Sequence, residues 1–199
     1  MNAEKKEKMR QIRDEIFNLT GSPLYKERTK NKVFPVIGEG SHDAAIMFVG
    51  EAPGKNEAAT GRPFCGASGK ILDELLASVN IPRESVYITN IVKDRPTGNR
   101  DPLPNEIEIY APFLERQIDI MQPKVIATLG RFSMNYIIDS FCPDEFAEPI
   151  SRAHGKEFKG ETSYGEVIVL PLYHPAVAVY NNNMKETLKQ DFKLLKKFT

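Results

Sequence analysis

The sequence predicts an α/β fold in three layers, α/β/α, with a central sheet of four parallel strands. Four short apolar runs are each bounded by glycine, proline or polar residues, and segments with a helical spacing of apolar residues lie between them. Each run is apolar throughout, which is typical of parallel strands that helices cover on both faces. The runs are residues 44–49, 86–89, 125–129 and 167–172.

Length and composition indicate one globular domain. Residues 1–199 are expected to form it, with an N-terminal helix and basic loop at 1–43 and the core at 44–199. No apolar stretch reaches the roughly 18 residues of a membrane span, and the charged first residues do not resemble a signal peptide. We therefore expect an intracellular protein. Two cysteines and three histidines without metal-ligand spacing predict free thiols and no metal site.

Positive charge is concentrated at the two ends of the chain. Residues 1–33 carry nine Lys/Arg against five Asp/Glu, residues 181–199 carry five against two, and residues 101–150 carry three against nine. A surface that binds a phosphate backbone is therefore compatible with the neutral total. Solvated helix faces explain the same pattern equally well, so charge alone leaves both interpretations open.

Periodicity, proline and glycine predict the other elements. Residues 25–32 predict a basic loop, and residues 33–37 predict an edge strand, because Pro35 excludes a central position in a sheet. Residues 139–165 are expected to be irregular, with a minor hairpin around Gly160. Helices are predicted at 3–19, 104–121, 131–138 and 185–198.

The longest connection, residues 50–69, links the first strand to its helix. An ordinary connection of this kind needs about 2 to 6 residues, whereas this one contains five glycines, which let backbone approach a ligand closely. Ligands of open α/β sheets bind beyond the carboxyl ends of the strands. The later strands end at Asn90, Gly130 and His174, so their ends meet this loop at one edge. One active site at that edge is the economical explanation.

The side chains expected at this edge suit hydrolysis of an N-glycosidic bond on an extruded base. Asn90 presents a donor and an acceptor that match O4 and N3–H of uracil and oppose the reversed pattern of cytosine. The Phe64 ring can stack on the base, and His174 can donate to a carbonyl oxygen that gains charge. Glu51 or Glu57 can orient water. Each residue alone also fits a role in a turn or in the core, so only the combination indicates function.

Four segments carry a resemblance to a known family. They resemble the motifs of the uracil-DNA glycosylase superfamily, and the chain is most similar to its family 4 enzymes of bacteria and archaea. The similarity runs in register over about residues 19–198. The segments are GEAPGKNEAATGRPFCGASGKILDELL, YITNIVKDRPTGNRDPLPNE, PKVIATLG and LPLYHPAVAVYNN.

The resemblance implies four catalytic residues. Glu51 lies in the first pocket motif, Glu57 is a second pocket carboxylate, and Asn99 matches an asparagine used in catalysis. His174 begins the closing motif that stabilises the departing uracil anion. Ala52 occupies the position at which other branches carry an acidic residue, so Asn99 and Glu57 are the candidates for positioning the water.

The resemblance also implies the uracil-binding and DNA-binding residues. Phe64 stands where the family stacks uracil and Asn90 where it reads the base edge, beside the backbone of Gly50 and Ala52. Residues 176–180 are expected to enter the minor groove, and two basic loops are expected to contact phosphates. The predicted DNA-binding residues are Lys26, Arg28, Lys30, Arg95, Arg100, Val179 and Tyr180.

One departure from the family concerns its iron-sulfur cluster. Family 4 enzymes hold the cluster through four cysteines, and this chain has Leu19, Ser22, Asp94 and Tyr110 at the matching positions. None of the four binds iron as a thiolate does. We therefore expect no cluster and no other cofactor, and we expect packing of Tyr110 and Leu19 to support this region instead.

The predicted function is monofunctional uracil-DNA glycosylase activity, which hydrolyses the bond between uracil and the sugar and leaves an abasic site in base excision repair. No lysine nucleophile is evident, so strand cleavage is not predicted. The expected partner is uracil-containing DNA, bound by a monomer in the cytoplasm at the nucleoid, without membrane association. Two alternatives stay open: a non-catalytic DNA-binding or replication-associated homologue, and a glycosylase for another deaminated base such as hypoxanthine.

Overall fold

The centre of the fold is a six-stranded sheet in the computed structural model, which describes residues 3–199. Its strands are β1 (Glu39–Gly40), β2 (Ile46–Gly50), β3 (Tyr87–Asn90), β4 (Val125–Leu129), β5 (Phe158–Thr162) and β6 (Gly165–Leu172). The spatial order is β1-β3-β2-β4-β6-β5. The middle four strands are parallel and correspond to the four predicted runs, whereas the two outer strands pair antiparallel and enlarge the predicted sheet.

Helices cover both faces of this sheet. They are α1 (Ala3–Phe17), α2 (Pro23–Asn31), α3 (Lys55–Thr60), α4 (Ala67–Ser78), α5 (Pro104–Met121), α6 (Arg131–Phe141), α7 (Ile150–Ala153), α8 (Ala176–Tyr180) and α9 (Met184–Lys193). Short 3₁₀ helices also occur, among them Thr97–Asn99 before α5 and Leu194–Phe198 after α9. Within residues 3–199, none of the helices combines the length and the apolar character needed to cross a membrane.

Each parallel strand contributes side chains to two hydrophobic cores, because successive residues of a strand point to opposite faces. In β2, Met47 and Val49 pack with residues of α1, α5 and α6. Ile46 and Phe48 pack on the other side with residues of α4 and α9. The resulting order of helix layer, sheet and helix layer confirms the predicted α/β class.

Helix α1 packs into the first of these cores. Its buried residues Met9, Ile12 and Ile16 recur at helical spacing and belong to the same cluster as the buried face of α5. At the surface, Arg116 of α5 donates to the Glu15 carboxylate of α1 at 2.8 Å. We therefore propose that α1 folds together with the sheet, as expected for one domain spanning the chain.

The predicted basic loop at 25–32 is wrong, because most of this segment is helix α2. The Ser22 hydroxyl caps the helix by accepting a hydrogen bond from the Leu24 amide at 3.2 Å, and Pro23 occupies the first turn. Serine followed by proline is a common way to begin a helix. The helix stops at Lys32, whose φ of 52° is left-handed.

The predicted edge strand at 33–37 is also wrong. This segment lies outside the sheet, and two of its amides bond elsewhere: Phe34 donates to the Ala58 carbonyl at 2.8 Å and Val36 to the Lys93 carbonyl at 2.7 Å. The edge is formed instead by the two residues of β1, which pair with β3.

Residues 139–165 are more regular than predicted. They contain α7 and the whole of β5, which forms a hairpin with β6 around a turn at 163–164 rather than around Gly160. Strand β5 alternates between buried and exposed side chains. It therefore lacks the continuous apolar run that identified the inner strands.

We expect substitution of a buried α1 residue to destabilise the whole protein. Ile16→Ala removes a fully buried side chain, which costs about 2–5 kcal/mol of unfolding free energy. Arg13→Ala, on the exposed side of the same helix, should change it by less than ~0.5 kcal/mol. Urea denaturation followed by circular dichroism measures both values. Equal stability of the two variants would contradict the proposal that α1 and the sheet unfold together.

Candidate active site

A pocket opens at the carboxyl edge of the parallel strands. Strands β2 and β3 end at the register partners Gly50 and Asn90, and β6 ends two residues before His174. The cavity has a volume of about 190 Å³, below the roughly 300–1,000 Å³ of sites for drug-sized ligands, so it suits one small heterocycle. Its walls include all six predicted pocket side chains, which are Glu51, Glu57, Phe64, Asn90, Asn99 and His174.

Gly50 leaves space for two side chains at one wall of the pocket. A Cβ atom at position 50 would overlap the Asn90 carboxamide oxygen and would lie 2.9 Å from the Phe64 ring. Phe64 and Asn90 are both buried. Only glycine therefore allows the ring and the carboxamide to approach each other here. We call Gly50, Phe64 and Asn90 the base slot, because the resemblance predicts that they bind a base.

The backbone around Phe64 is also constrained. Phe64 has a left-handed conformation with φ of 46°, which costs a residue with a side chain about 1–3 kcal/mol. Its carbonyl group lies against Gly69 of α4 so closely that a Cβ atom at position 69 would overlap it. The packing of α4 against this turn thus holds the ring in the pocket wall.

His174 lies beside the base slot. Its ring centroid is 5.6 Å from that of Phe64. Gly130, which follows β4 and has a φ of 98°, allows the chain to pack closely against His174. The Nδ1 atom accepts a hydrogen bond from the Ala176 amide at 3.1 Å, so the proton of the neutral ring is on Nε2. Burial lowers the pKa of His174 to about 4, with a smaller opposing effect from the Glu57 carboxylate. Near pH 7 the ring is neutral and offers one donor.

Glu57 holds the glycine-rich loop together. This residue lies in α3, and its Oε1 atom accepts hydrogen bonds from the backbone amides of Cys65 and Gly66, both at 3.0 Å. A Cβ atom at Gly54 would lie 2.7 Å from Oε2. The carboxylate therefore connects α3 to residues 65 and 66 of the loop, and it also lines the pocket.

Glu51 has an unusual protonation equilibrium. Burial raises the pKa of its carboxyl to about 7, the charge of Asp101 adds to the effect, and the charge of Arg131 opposes it. Both protonation states are therefore populated near neutral pH. Carboxyls with such a pKa are suited to proton transfer and are concentrated at functional sites.

Asn99 enters the pocket from the loop that follows β3. The residue is left-handed, with φ of 56°, directly after Gly98 with φ of 67°. The Arg95 side chain donates from Nε to the Asn99 Oδ1 atom at 2.6 Å. This contact orients the carboxamide and uses one of the two acceptor positions of Oδ1, while no hydrogen bond from Asn99 Nδ2 to another residue is seen among residues 3–199. Arg100 also lines the pocket and forms a bidentate ion pair with Glu106 at 2.6 and 2.8 Å.

Arg28 does not lie where the DNA-binding prediction requires it. Its side chain is only 6% exposed, and its guanidinium is bonded to Asp94, so the prediction that it contacts phosphates is wrong. Helical geometry explains the error, because Lys26 and Lys30 lie on the exposed face of α2 whereas Arg28 points inward. Lys26 and Lys30 remain available to a phosphate backbone.

The other predicted DNA-binding residues are more accessible. Val179 is 43% exposed and Tyr180 is 88% exposed, both in the short helix α8 that follows His174. Arg95 is half-buried, and Arg100 is exposed at the pocket rim. Large apolar side chains on this surface are notable because exposing apolar area to water is unfavourable.

The four positions that the resemblance matches to the cluster cysteines are occupied by side chains that contact their neighbours. The Ser22 and Tyr110 hydroxyls are 2.8 Å apart, and Tyr110 donates to Asp94 Oδ2 at 2.6 Å. Leu19 packs against the first core. These residues do not fit an iron-sulfur cluster, because none is a thiolate and Asp94 is already bonded to Arg28. Among residues 3–199, no group of three or more His, Cys, Asp or Glu side chains is arranged to hold a metal ion.

The expected packing of Tyr110 and Leu19 is confirmed, but packing is not the whole support of this region. Tyr110 is fully buried and packs in the core as predicted. Its hydroxyl, however, takes part in a polar network that sequence reasoning missed. Ser22 also has two roles, since it caps α2 in addition to contacting Tyr110.

Lys93 is another residue that sequence reasoning missed. Its side chain is fully buried, and Nζ donates to the Asn90 carbonyl at 2.6 Å, to Gln117 Oε1 at 2.6 Å and to Thr89 Oγ1 at 2.8 Å. Burial lowers the pKa of Lys93 well below its usual value. The sequence does contain a signal for this burial, because Lys93 directly follows the apolar pair Ile91-Val92. Ser68, Pro53, Gly54 and Pro96 also line the pocket without having been predicted.

Comparison with known proteins identifies the family. A sequence model of the family described as "Uracil DNA glycosylase superfamily" matches residues 37–196. The type-4 uracil-DNA glycosylase of Sulfurisphaera tokodaii is 43% identical over 189 residues, which cover 94% of this chain and 83% of the relative. That of Archaeoglobus fulgidus is 43% identical over 179 residues, covering 90% and 87%. That of Thermotoga maritima is 36% identical over 199 residues, covering 98% and 96%. This chain belongs to the uracil-DNA glycosylase superfamily.

We expect Glu51→Gln to stabilise the protein at alkaline pH. The folded pKa of about 7 lies above the unfolded value near 4.5, so wild-type stability falls as pH rises through that window. Removing the charge should gain about 1–2 kcal/mol at pH 8, less than the full shift because the carboxyl is partly exposed. Thermal unfolding should show a midpoint higher by roughly 2–8 °C at pH 8 and little change at pH 4.

The matched control for this prediction is Glu108→Gln, which neutralises an exposed glutamate on α5. Its effect should be small and should not grow between acidic and alkaline pH. A Glu51→Gln midpoint that is no higher than wild type at pH 8 would contradict the burial of this carboxyl in an unfavourable environment.

Proposed function

We propose that this chain hydrolyses the N-glycosidic bond between uracil and deoxyribose in DNA, as a monofunctional uracil-DNA glycosylase in DNA repair. The observation that carries the proposal is the base slot beside a neutral histidine, in a chain that belongs to this superfamily. The names of its relatives state uracil-DNA glycosylase activity for those proteins. The product is free uracil and an abasic site.

The base slot is suited to read uracil. A flipped base would stack on Phe64, while the Asn90 carboxamide would match the donor and acceptor pattern of the uracil edge. Cytosine presents the reversed pattern and would leave buried polar groups unpaired, which is costly. Because Asn90 is buried at the end of β3 and its backbone carbonyl is held by Lys93, the carboxamide is preorganised.

His174 is suited to stabilise the leaving group. As the glycosidic bond breaks, negative charge develops on the uracil oxygens and positive charge on the sugar. A neutral imidazole that donates from Nε2 stabilises the oxygen without an unfavourable buried cation. The ring meets this requirement because its pKa of about 4 keeps it neutral at physiological pH and Ala176 fixes its tautomer. Glu57, close enough to affect the His174 pKa, adds a negative charge that favours the cationic sugar.

Water activation is assigned here to Glu51, together with the Asn99 amide. A carboxyl with a pKa of about 7 has the right strength to take a proton from water at neutral pH. The Asn99 Nδ2 group can orient the same water, because Arg95 holds its Oδ1 atom. Glu57 is less available for this task, since its Oε1 atom accepts two backbone hydrogen bonds.

We also propose how the protein contacts DNA and works without a cofactor. Lys26 and Lys30 on α2, with Arg95 and Arg100 near the pocket, would contact phosphates. Val179 and Tyr180 would fill the space left by the flipped base. The protein would act as a monomer on nucleoid DNA in the cytoplasm. The polar network at the cluster positions supports activity without iron.

Uracil release from labelled oligonucleotides tests the proposal. Wild type should produce alkali-sensitive breaks in single-stranded, U:G and U:A substrates, and the single-turnover rate should fall roughly 100-fold or more in Asn90→Ala because a base-reading group is lost. A hypoxanthine-containing duplex tests the alternative base. Asn31→Ala, which removes an exposed carboxamide outside the pocket, should keep the wild-type rate.

Folded wild-type protein that binds DNA and releases no base from any substrate would reject the enzymatic function. That result would favour the non-catalytic DNA-binding alternative. Release of hypoxanthine in preference to uracil would instead move the substrate assignment to the other deaminated base.

A further inference from the structure

A buried polar network lies where the family holds its metal cluster. The Arg28 guanidinium donates from Nη1 to both oxygens of Asp94, at 3.0 and 3.1 Å. Tyr110 donates to the same carboxylate at 2.6 Å, and its hydroxyl contacts Ser22. All four side chains are at most 6% exposed. We call these four residues the Arg28–Asp94 network.

The network joins four parts of the fold that are distant in sequence. Arg28 also donates to the backbone carbonyls of Ile16 at 3.1 Å and Phe17 at 2.6 Å, which are the last residues of α1. Arg28 itself belongs to α2, Tyr110 belongs to α5, and Asp94 begins the loop after β3. The carbonyls at the end of α1, which lack partners within their own helix, thus receive a buried donor.

The Asp94 end of this network leads directly into the pocket. Residues 95–100 follow it, and Pro96, Asn99 and Arg100 of this segment line the pocket. The far end of the segment is held by the ion pair of Arg100 with Glu106 of α5. The segment is therefore fixed at both ends by arginine–carboxylate pairs, of which only the one at Asp94 is fully buried.

We propose that Arg28 and Asp94 are positioning residues for catalysis: their buried pair fixes the loop that presents Asn99 to the reacting centre. This inference rests on the proposed function. Neither residue touches the substrate, and their effect passes through the loop backbone. The ordering that a metal cluster would supply at this place is supplied by directional hydrogen bonds, so the activity requires no iron.

The buried Arg28–Asp94 pair acts through geometry rather than through stability. A buried ion pair seldom adds net stability, because desolvation of the two charges offsets their attraction, and an apolar pair of similar volume is often as stable. Here Nη1 of Arg28 contacts both oxygens of Asp94, and the same planar guanidinium donates to two backbone carbonyls at the end of α1. Several charge-assisted hydrogen bonds from one rigid group fix both the distance and the orientation of its partners. A catalytic group displaced by about 1 Å can lose roughly 100-fold in rate, so such a contact matters most for a loop like 95–100.

Three variants test the proposal. Tyr110→Phe removes one hydrogen bond to Asp94, Asp94→Asn removes the charge, and the double variant Arg28→Met/Asp94→Leu replaces the pair by apolar side chains. The double variant keeps the test valid if Asp94→Asn alone fails to fold, because it leaves no unpaired buried charge. Arg116→Met is the matched control, since it removes an exposed arginine–glutamate pair between the same helices α1 and α5.

Two readouts separate positioning from stability. Single-turnover uracil release at saturating enzyme should be roughly 10- to 100-fold slower in the double variant, while its affinity for uracil-containing DNA changes far less. Hydrogen exchange should be faster at the Asn99 amide, which bonds to Pro96, and unchanged at the Ile91 amide, which bonds to Gly50. Arg116→Met should match wild type in both measurements.

The outcomes decide the proposal even if uracil is not the substrate. Unchanged exchange at Asn99 in a folded double variant overturns the positioning role, whatever the activity. A lower melting temperature with wild-type rate and exchange overturns it as well, because the network would then only stabilise the fold. If wild type releases no uracil but exchange at Asn99 increases in the variant, the proposed function fails while the positioning of the loop stands.

Discussion

The pocket depends on the absence of a side chain at Gly50. At this point β2 and β3 end side by side, and the Asn90 carboxamide and the Phe64 ring converge on the space that a Cβ atom would fill. The constraint extends outward: Phe64 accepts a left-handed backbone, and Gly69 lets α4 pack against the Phe64 carbonyl. A single small residue at a strand end thus sets the spacing between the sheet, the glycine-rich loop and helix α4.

Burial shifts the pKa values of two titratable groups of the pocket in opposite directions. It raises the pKa of Glu51 to about 7 and lowers the pKa of His174 to about 4. One environment therefore produces a carboxyl that exchanges protons near neutral pH and a histidine that stays neutral. Pairs of groups whose pKa values are separated in this way indicate how acid, base and electrostatic tasks are shared.

The sequence was sufficient for the four parallel strands and for six of the side chains that line the pocket. Continuous apolar runs identify buried strands, and the rule that ligands bind at their carboxyl ends places Glu51, Asn90 and His174 together. Strand β5 could not be found in this way, because its outer position gives it an alternating pattern. The roles of the pocket residues stay predictions, since their placement alone does not measure their chemistry.

The errors about Arg28 and Lys93 share one cause, which is that charged residues were assumed to be exposed. Arg28 and Lys93 are buried because each has partners that lie far away in the sequence: Asp94 is 66 residues from Arg28 and Gln117 is 24 residues from Lys93. No local pattern reports such pairing. The substitution of Asp94 and Tyr110 for cysteines was visible in the sequence, but the hydrogen bonds between them depend on the packing of α2 and α5.

The base slot can be tested most directly by nuclear magnetic resonance. Free uracil and free cytosine would be titrated into the ¹⁵N-labelled protein while the side-chain amide signals of Asn90 are observed. We expect uracil to shift these signals strongly and cytosine to leave them nearly unchanged, because only uracil matches the carboxamide. Equal shifts with both bases, or uracil-induced shifts that leave Asn90 unaffected, would contradict the assignment of Gly50, Phe64 and Asn90 as the site that reads the base.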